Sequence, residues 1–141
     1  MAAVFENTGV RFRYPESWQL EREESDEGWT VYVQSPGTAF AMITLRDDAT
    51  PGELAQIALD ALREDYPELE ADDCVDSLAG QPAIGHDVQF FSFDLTNTAW
   101  IRSFASACGT VLVLCQTSDL ELEAHEPILR AICASIELED E

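Results

Sequence analysis

The sequence predicts an α+β fold: a mainly antiparallel, twisted sheet of about six to seven strands covered by two main helices, an α/β/α-type sandwich. Three observations predict it. Several short segments alternate apolar and polar residues with the two-residue period of a half-buried strand. Two longer segments, one mid-chain and one near the end, carry the 3.6-residue period of an amphipathic helix. The order, strands and a helix followed by strands and a helix, lays helices over a sheet of mostly hairpin neighbours.

The elements follow in order. Val10, Phe12 and Tyr14 share one face of a strand over residues 10–14, which Pro15 ends. A second short strand begins at Trp18-Gln19-Leu20. Residues 21–28 are acidic and are expected as a solvated turn. Residues 29–34 alternate again, with Trp29, Val31 and Val33 on one face; Ser35-Pro36-Gly37 then turns the chain. Residues 39–45 make a further strand, rich in apolar and β-branched side chains. At Thr50-Pro51-Gly52-Glu53 a helix starts: the Thr50 hydroxyl accepts from a free amide, Pro51 fits the first position and Glu53 completes a capping box. That helix runs to about Tyr66, where Pro67 stops it, with Leu54, Ile57, Ala58, Ala61 and Leu62 as its buried stripe. Residues 69–78 form an edge strand whose acids, Asp73 and Asp76 among them, discourage pairing with another chain.

Ala79-Gly80-Gln81-Pro82 leads into a long ribbon: residues 83–94, a turn over 95–98 containing Asn97, and a return strand over 99–107. In the return strand Ile101, Ser103, Ala105 and Ala107 offer a face of small side chains to a helix, while Trp100, Arg102 and Phe104 point the other way. Residues 110–116 are apolar on both faces and therefore central. The last helix begins near Asp119 or Leu122 and ends at Ser135, burying Ile128, Leu129, Ile132, Cys133 and Ile136; Pro127 implies an irregular first turn or a later start. The whole reads as one domain over residues 1–136 followed by an acidic tail, 137–141.

Charge bounds the partners. Asp and Glu number 28 against seven Arg and no Lys, a formal net charge of -21 on 141 residues. Such a surface repels nucleic-acid phosphates and anionic lipid headgroups, so neither partner is expected, and it attracts basic, Arg- or Lys-rich proteins. The same charge favours solubility and a monomer, and suits high ionic strength. A mimic of nucleic acid needs acids along one face, whereas here they gather in expected loops and ends. With 46% hydrophobic residues the chain can build a core, so disorder does not explain the acidity. No apolar run reaches the about 20 residues that span a membrane. The start, Met1-Ala2-Ala3-Val4-Phe5-Glu6, has no signal-peptide pattern, and a cytoplasmic location is expected.

Chemical signatures are sparse. Cys74, Cys108, Cys115 and Cys133 form no Cys-x-x-Cys pair, and Cys115 and Cys133 read as small core residues. His86-Asp87 and His125-Glu126 are the histidine neighbourhoods; adjacent strand residues point to opposite faces, so His86 and Asp87 do not meet, and the expectation is solvated polar residues. No cofactor and no metal are expected. Phe91, Phe93, Trp100 and Phe104 line one sheet face with Arg102 among them. That face is either core beneath a helix or, if left uncovered, a partner-binding patch rimmed by acids.

Three short stretches carry a resemblance. Val10-Arg11-Phe12-Arg13-Tyr14-Pro15-Glu16-Ser17-Trp18 is similar to an aromatic-x-Tyr-Pro-x-x-Trp opening, Gly80-Gln81-Pro82-Ala83 to a Gly-x-Pro-Ala turn before a long hairpin, and Ile132-Cys133-Ala134-Ser135-Ile136 to an ending of Ile-x-x-Ser-Ile or Ile-x-x-Ser-Leu. Together, in this order, they resemble the PsbP/Mog-like superfamily and its bacterial branch of DcrB- and LpqN-like lipoproteins. The chain departs from that branch in showing no lipobox cysteine. The resemblance implies the sandwich fold and a non-enzymatic role: a protein-binding, adaptor or chaperone module whose partner is another protein with apolar and basic features. The rival readings are an acidic inhibitor or immunity-type mimic, and a metal-dependent hydrolase of unfamiliar type.

Overall fold

In the computed structural model, residues 2–7, 9–92 and 94–138 are described. Ten strands and two helices follow in the order β1 (Ala2–Asn7), β2 (Val10–Pro15), β3 (Gln19–Ser25), β4 (Gly28–Gln34), β5 (Phe40–Arg46), α1 (Pro51–Asp65), β6 (Glu70–Leu78), β7 (Gln81–Ser92), β8 (Leu95–Ser106), β9 (Gly109–Ser118), α2 (Leu122–Ala134) and β10 (Glu137–Leu138). Seven strands make one sheet in the order β3-β4-β5-β9-β8-β7-β6, every pairing antiparallel. The other three form a small sheet, β1-β2-β10. The fold is α+β, a seven-stranded antiparallel sheet covered by two helices.

Strand β9 is central because it is apolar on both faces. Leu112 and Leu114 join Leu54, Ala55 and Leu59 of α1 with Val88, Phe90, Ala99 and Ile101. Val111, Val113 and Cys115 join the opposite core, which holds Trp29, Val31 and Val33 of β4, Phe5 and Phe12 of the small sheet, and Leu129, Ile132 and Cys133 of α2. The small sheet is fastened there by aromatic packing: the Phe5 ring lies 5.0 Å from Phe12 and 5.2 Å from Trp29. The capping box of α1 forms as expected, with Thr50 accepting from the Glu53 amide at 3.2 Å and Glu53 from the Thr50 amide at 3.0 Å.

The two covering layers are offset. Helix α1 packs on β7, β8 and β9, whereas α2 packs on β9 and β2. Each layer covers one half of the large sheet. On the α2 side, the β6-β7 end of the sheet therefore stands beside the helix rather than under it.

Several expectations change. Residues 21–28 are not a turn: β3 continues to Ser25, and the turn is two residues long. Their composition is loop-like because β3 is an exposed edge, and the guanidinium of Arg22, 5.5 Å above the Phe5 ring, stands where an apolar side chain would. Strand β1 went unread. The stripe of α1 is rotated: Leu54, Ala55 and Leu59 are buried, Ile57 and Ala61 are exposed. Asn97 lies within β8, opposite Phe90 and Ser118, and the hairpin turns earlier, at Asp94, which takes a left-handed φ of 61°. Helix α2 does start at Leu122 and accommodates Pro127 in its second turn. Glu137 and Leu138, expected in a free tail, pair with Arg11 and Val10 as β10, held by an Arg11–Glu137 ion pair of 2.5 Å; residues 139–141 lie outside the described residues.

Candidate functional site: an acidic groove beside helix α2

The uncovered end of the sheet is a groove. Its floor is Trp100, which alternation along β8 directs to the α2 side and which, at 5% exposure, is almost wholly covered. Arg130 of α2 lays its guanidinium over the Trp100 ring, 4.9 Å from the centroid, and donates from Nε to Glu126 at 2.8 Å, one turn earlier. That hydrogen bond raises the already high pKa of Arg130 against the effect of its partial burial.

The Trp100–Arg130 stack divides the groove into two cavities. The first, of about 340 Å³, is walled by Glu70 and Asp72 of β6, Asp87 and Gln89 of β7, and Glu126. The second, of about 270 Å³, is lined by Asp76 and Leu78 of β6, Arg102 of β8, and Cys133 and Ala134 of α2. Five carboxylates thus face two guanidiniums.

Arg102 fixes the inner wall. Buried at 7% exposure, it donates to Asp87 at 3.0 Å and to the carbonyl of Ile101 at 2.9 Å, and its Nε lies 3.5 Å from Asp76. Its cross-strand partner is Gly85. A Cβ there would meet the Ile101 carbonyl oxygen at 1.7 Å, so only glycine lets β7 and β8 approach this closely. The antiparallel register also explains the acid wall: Asp72 pairs with Asp87 and Asp76 with Ala83, so Glu70, Asp72 and Asp76 share the Trp100 face. Like charges at Asp72 and Asp87 stand directly opposite each other, and the Arg102 guanidinium on Asp87 offsets part of their repulsion.

The residues singled out from the sequence separate. Trp100 and Arg102 meet in the groove. Phe104 is fully buried in the core and has no surface to offer. Phe91 is 75% exposed at the far end of β7, near Tyr66 and Pro67. Phe93 lies outside the described residues. The carboxylates and Arg130 were missed; the signals that point to them are the every-second-residue acids of β6 and the Glu126–Arg130 spacing of four.

The histidines are not solvated. His86 is buried on the α1 side, with Nδ1 2.9 Å from Asp73. His125 packs edge-on against Trp18, its ring centroid 5.9 Å away, and its Nδ1 lies 4.0 Å from Glu121. They occupy different sides of the sheet. Among the described residues, no group of three or more His, Cys, Asp and Glu is arranged to hold a metal ion. Glu121 is committed elsewhere: it accepts from the hydroxyl of Thr38 and from its amide at 2.8 Å, which lowers its pKa and ties the β4–β5 loop to the start of α2.

No protein-family model matches the chain, and no curated protein does. Solved structures do. Cyanobacterial PsbP (CyanoP) from Synechocystis is similar over 98% of this chain and 92% of its own, with a TM-score of 0.66 and 10% identity. LpqN, involved in cell envelope biogenesis of Mycobacterium tuberculosis, is similar over 99% and 91%, at 0.56 and 14%. PA94 of Pseudomonas aeruginosa, a protein of unknown function, is similar over 99% of both chains, at 0.58 and 13%. At such identities the likeness is one of fold. It also corrects the expectation of a cytoplasmic location, because a protein of this fold takes part in building a cell envelope. That expectation rested on a missing leader pattern and a missing apolar span. Among the described residues no helix is long and apolar enough to cross a membrane, and that fact carries no address.

Proposed function

We propose that this chain, which has the PsbP/Mog-like fold, is a non-enzymatic protein-binding module of one domain, and that it docks a cationic, partly apolar segment of another protein in the groove beside α2. The observation that carries the reading is the offset of the two covering layers, which leaves Trp100 at the base of a channel walled by Glu70, Asp72, Asp87 and Glu126. A flat aromatic floor accepts the apolar side chains of an incoming segment, and its face attracts cations; the carboxylates select Arg or Lys. Arg130 already occupies the ring face, so an incoming guanidinium stacks there once Arg130 swings off the ring, pivoting about the hydrogen bond it already makes to Glu126. Nucleic acid is disfavoured by the same carboxylates.

The test is a nuclear magnetic resonance titration with a synthetic peptide alternating Arg and Leu, at moderate salt, beside a Glu-Leu control. The Trp100 indole signal and amides of β6, β7 and α2 should shift with the first peptide alone. Shifts scattered over β3 and the rest of the acidic surface, vanishing with salt, would reject the groove.

A further inference from the structure

Two of the four cysteines meet where α2 leans on the sheet. Cys115 is on central strand β9 and Cys133 in the last turn of α2; both are buried, and their Sγ atoms are 3.6 Å apart. Small side-chain rotations bring thiols at that separation within bonding reach. The two are unequal. Cys115 is fully enclosed, and its hydrogen bond to Cys133, together with burial, pushes its pKa well above the usual thiol range. Cys133 is held below that range, first by the hydrogen bond from Cys115 and then, against burial, by one from Trp100 and by the charges of Arg130 and Arg102. Of the two, Cys133 is the thiol that shares a cavity with the guanidiniums of Arg102 and Arg130, whose charges favour its thiolate. Access is unequal in the same sense: Cys133 lines the cavity of about 270 Å³ with Trp100, Arg102 and Arg130. That volume admits molecules of the size of water or peroxide.

We infer that Cys115 and Cys133 form a dithiol site that a small hydroperoxide, entering through this cavity, oxidises to a disulfide joining β9 to α2. The Cys133 thiolate attacks the peroxide; an S–O bond forms, the O–O bond breaks, and the departing oxygen takes the proton released by Cys133, leaving as alcohol or water. Cys115 sulfur then attacks the Cys133 sulfenic acid; the S–S bond forms, the S–O bond breaks, and hydroxide leaves as water with the Cys115 proton. Two thiols lose two electrons, and the peroxide gains them. The product ties the helix turn after Arg130 to the middle of the sheet.

Cys74 and Cys108, half-buried free thiols, are internal controls. The reduced full chain would be exposed to hydrogen peroxide, alkylated at intervals, and analysed by intact mass and peptide mapping. The expected result is loss of two alkylatable thiols, with the peptides of Cys115 and Cys133 joined, before Cys74 or Cys108 reacts. The unfolding midpoint of the cross-linked chain should rise by several degrees, because the link restricts the unfolded chain. In the variant C115S the sulfenic acid has no resolving partner, and dimedone should label Cys133. Oxidation of Cys74 or Cys108 first, a different cross-link, or four thiols still free in the unaltered chain would each overturn the site.

Discussion

Arg102 shows how one side chain organises the groove. Its planar guanidinium spends one donor group on a main-chain carbonyl inside the sheet and turns the others to Asp87 and Asp76, which stay more than half exposed. The arginine is enclosed and its partners are not, so the two ends of the pair differ in worth. Replacing Arg102 with Ala should destabilise the chain by about 2–3 kcal/mol, less than removal of one partner from a fully enclosed pair, because the abandoned carboxylates reach water. Replacing Asp87 with Asn should cost under about 1 kcal/mol, as for an exposed pair. Chemical denaturation of the two variants measures both. Glu121 ties its charge to the fold through Thr38. Donation from Thr38 depresses its pKa in the folded chain. A depressed carboxyl stabilises the fold above its unfolded pKa and loses that contribution as pH falls through the folded value. The unfolding midpoint of E121Q should therefore lie below that of the unaltered chain at pH 7, and the gap should close under acid, below about pH 4. A gap that persists unchanged at pH 3 would mean that the carboxylate charge contributes nothing.

Between strands, the close approach of β7 and β8 rests on Gly85. Gly85→Ala places a methyl group against the Ile101 carbonyl, and the strands must part or slip; the loss should be about 2–4 kcal/mol, read by thermal or denaturant unfolding, with the Arg102 ion pairs disturbed. Much of the architecture at this scale was legible. Thr50, Pro51 and Glu53 announce α1 through backbone capping, a local interaction that needs no tertiary partner. The unbroken apolar run Val111-Leu112-Val113-Leu114 announces a central strand because both its faces need cover. What escaped depends on partners far away in the chain. Strand β3 reads as a loop until β4 pairs with it. The modest rotation of the α1 stripe, which keeps Leu54 and trades Ile57 and Ala61 for Ala55 and Leu59, follows from where β7 and β8 lie. Asn97 looks like a turn residue until Ser118 is placed beside it. For the groove, alternation told that Trp100 and Arg102 share a face, but that Phe104 is enclosed in the core while Trp100 lines the groove beside α2 is set by the offset of the covering layers, which no local pattern encodes. The meeting of Asp73 with His86 and of Cys115 with Cys133 is likewise a product of register and helix docking.

The molecule carries a net charge of -21, and both edges of the large sheet share in it: Glu21, Glu23 and Glu24 on β3 at one side, Glu70, Asp72, Asp73 and Asp76 on β6 at the other. Acids there guard the edges against pairing with another chain, at the cost of mutual repulsion. Salt screens that repulsion, since the Debye length falls from about 30 Å at 0.01 M to about 8 Å at 0.15 M. The thermal midpoint should rise over that interval; a fall would mean that the few ion pairs outweigh the repulsion. Because the acidity is general, the position of the carboxylates, not the total charge, must select the partner. Two double variants test it at equal change of charge: E70Q/D72N in the groove wall and E21Q/E23Q on β3. The measurement is affinity for the Arg-Leu peptide by calorimetry at 0.15 M salt. At about 0.5–1 kcal/mol for each charged contact, the groove variant should bind about tenfold more weakly while the β3 variant binds as the unaltered chain does. Equal weakening in both would contradict the account and reduce the binding to general charge attraction.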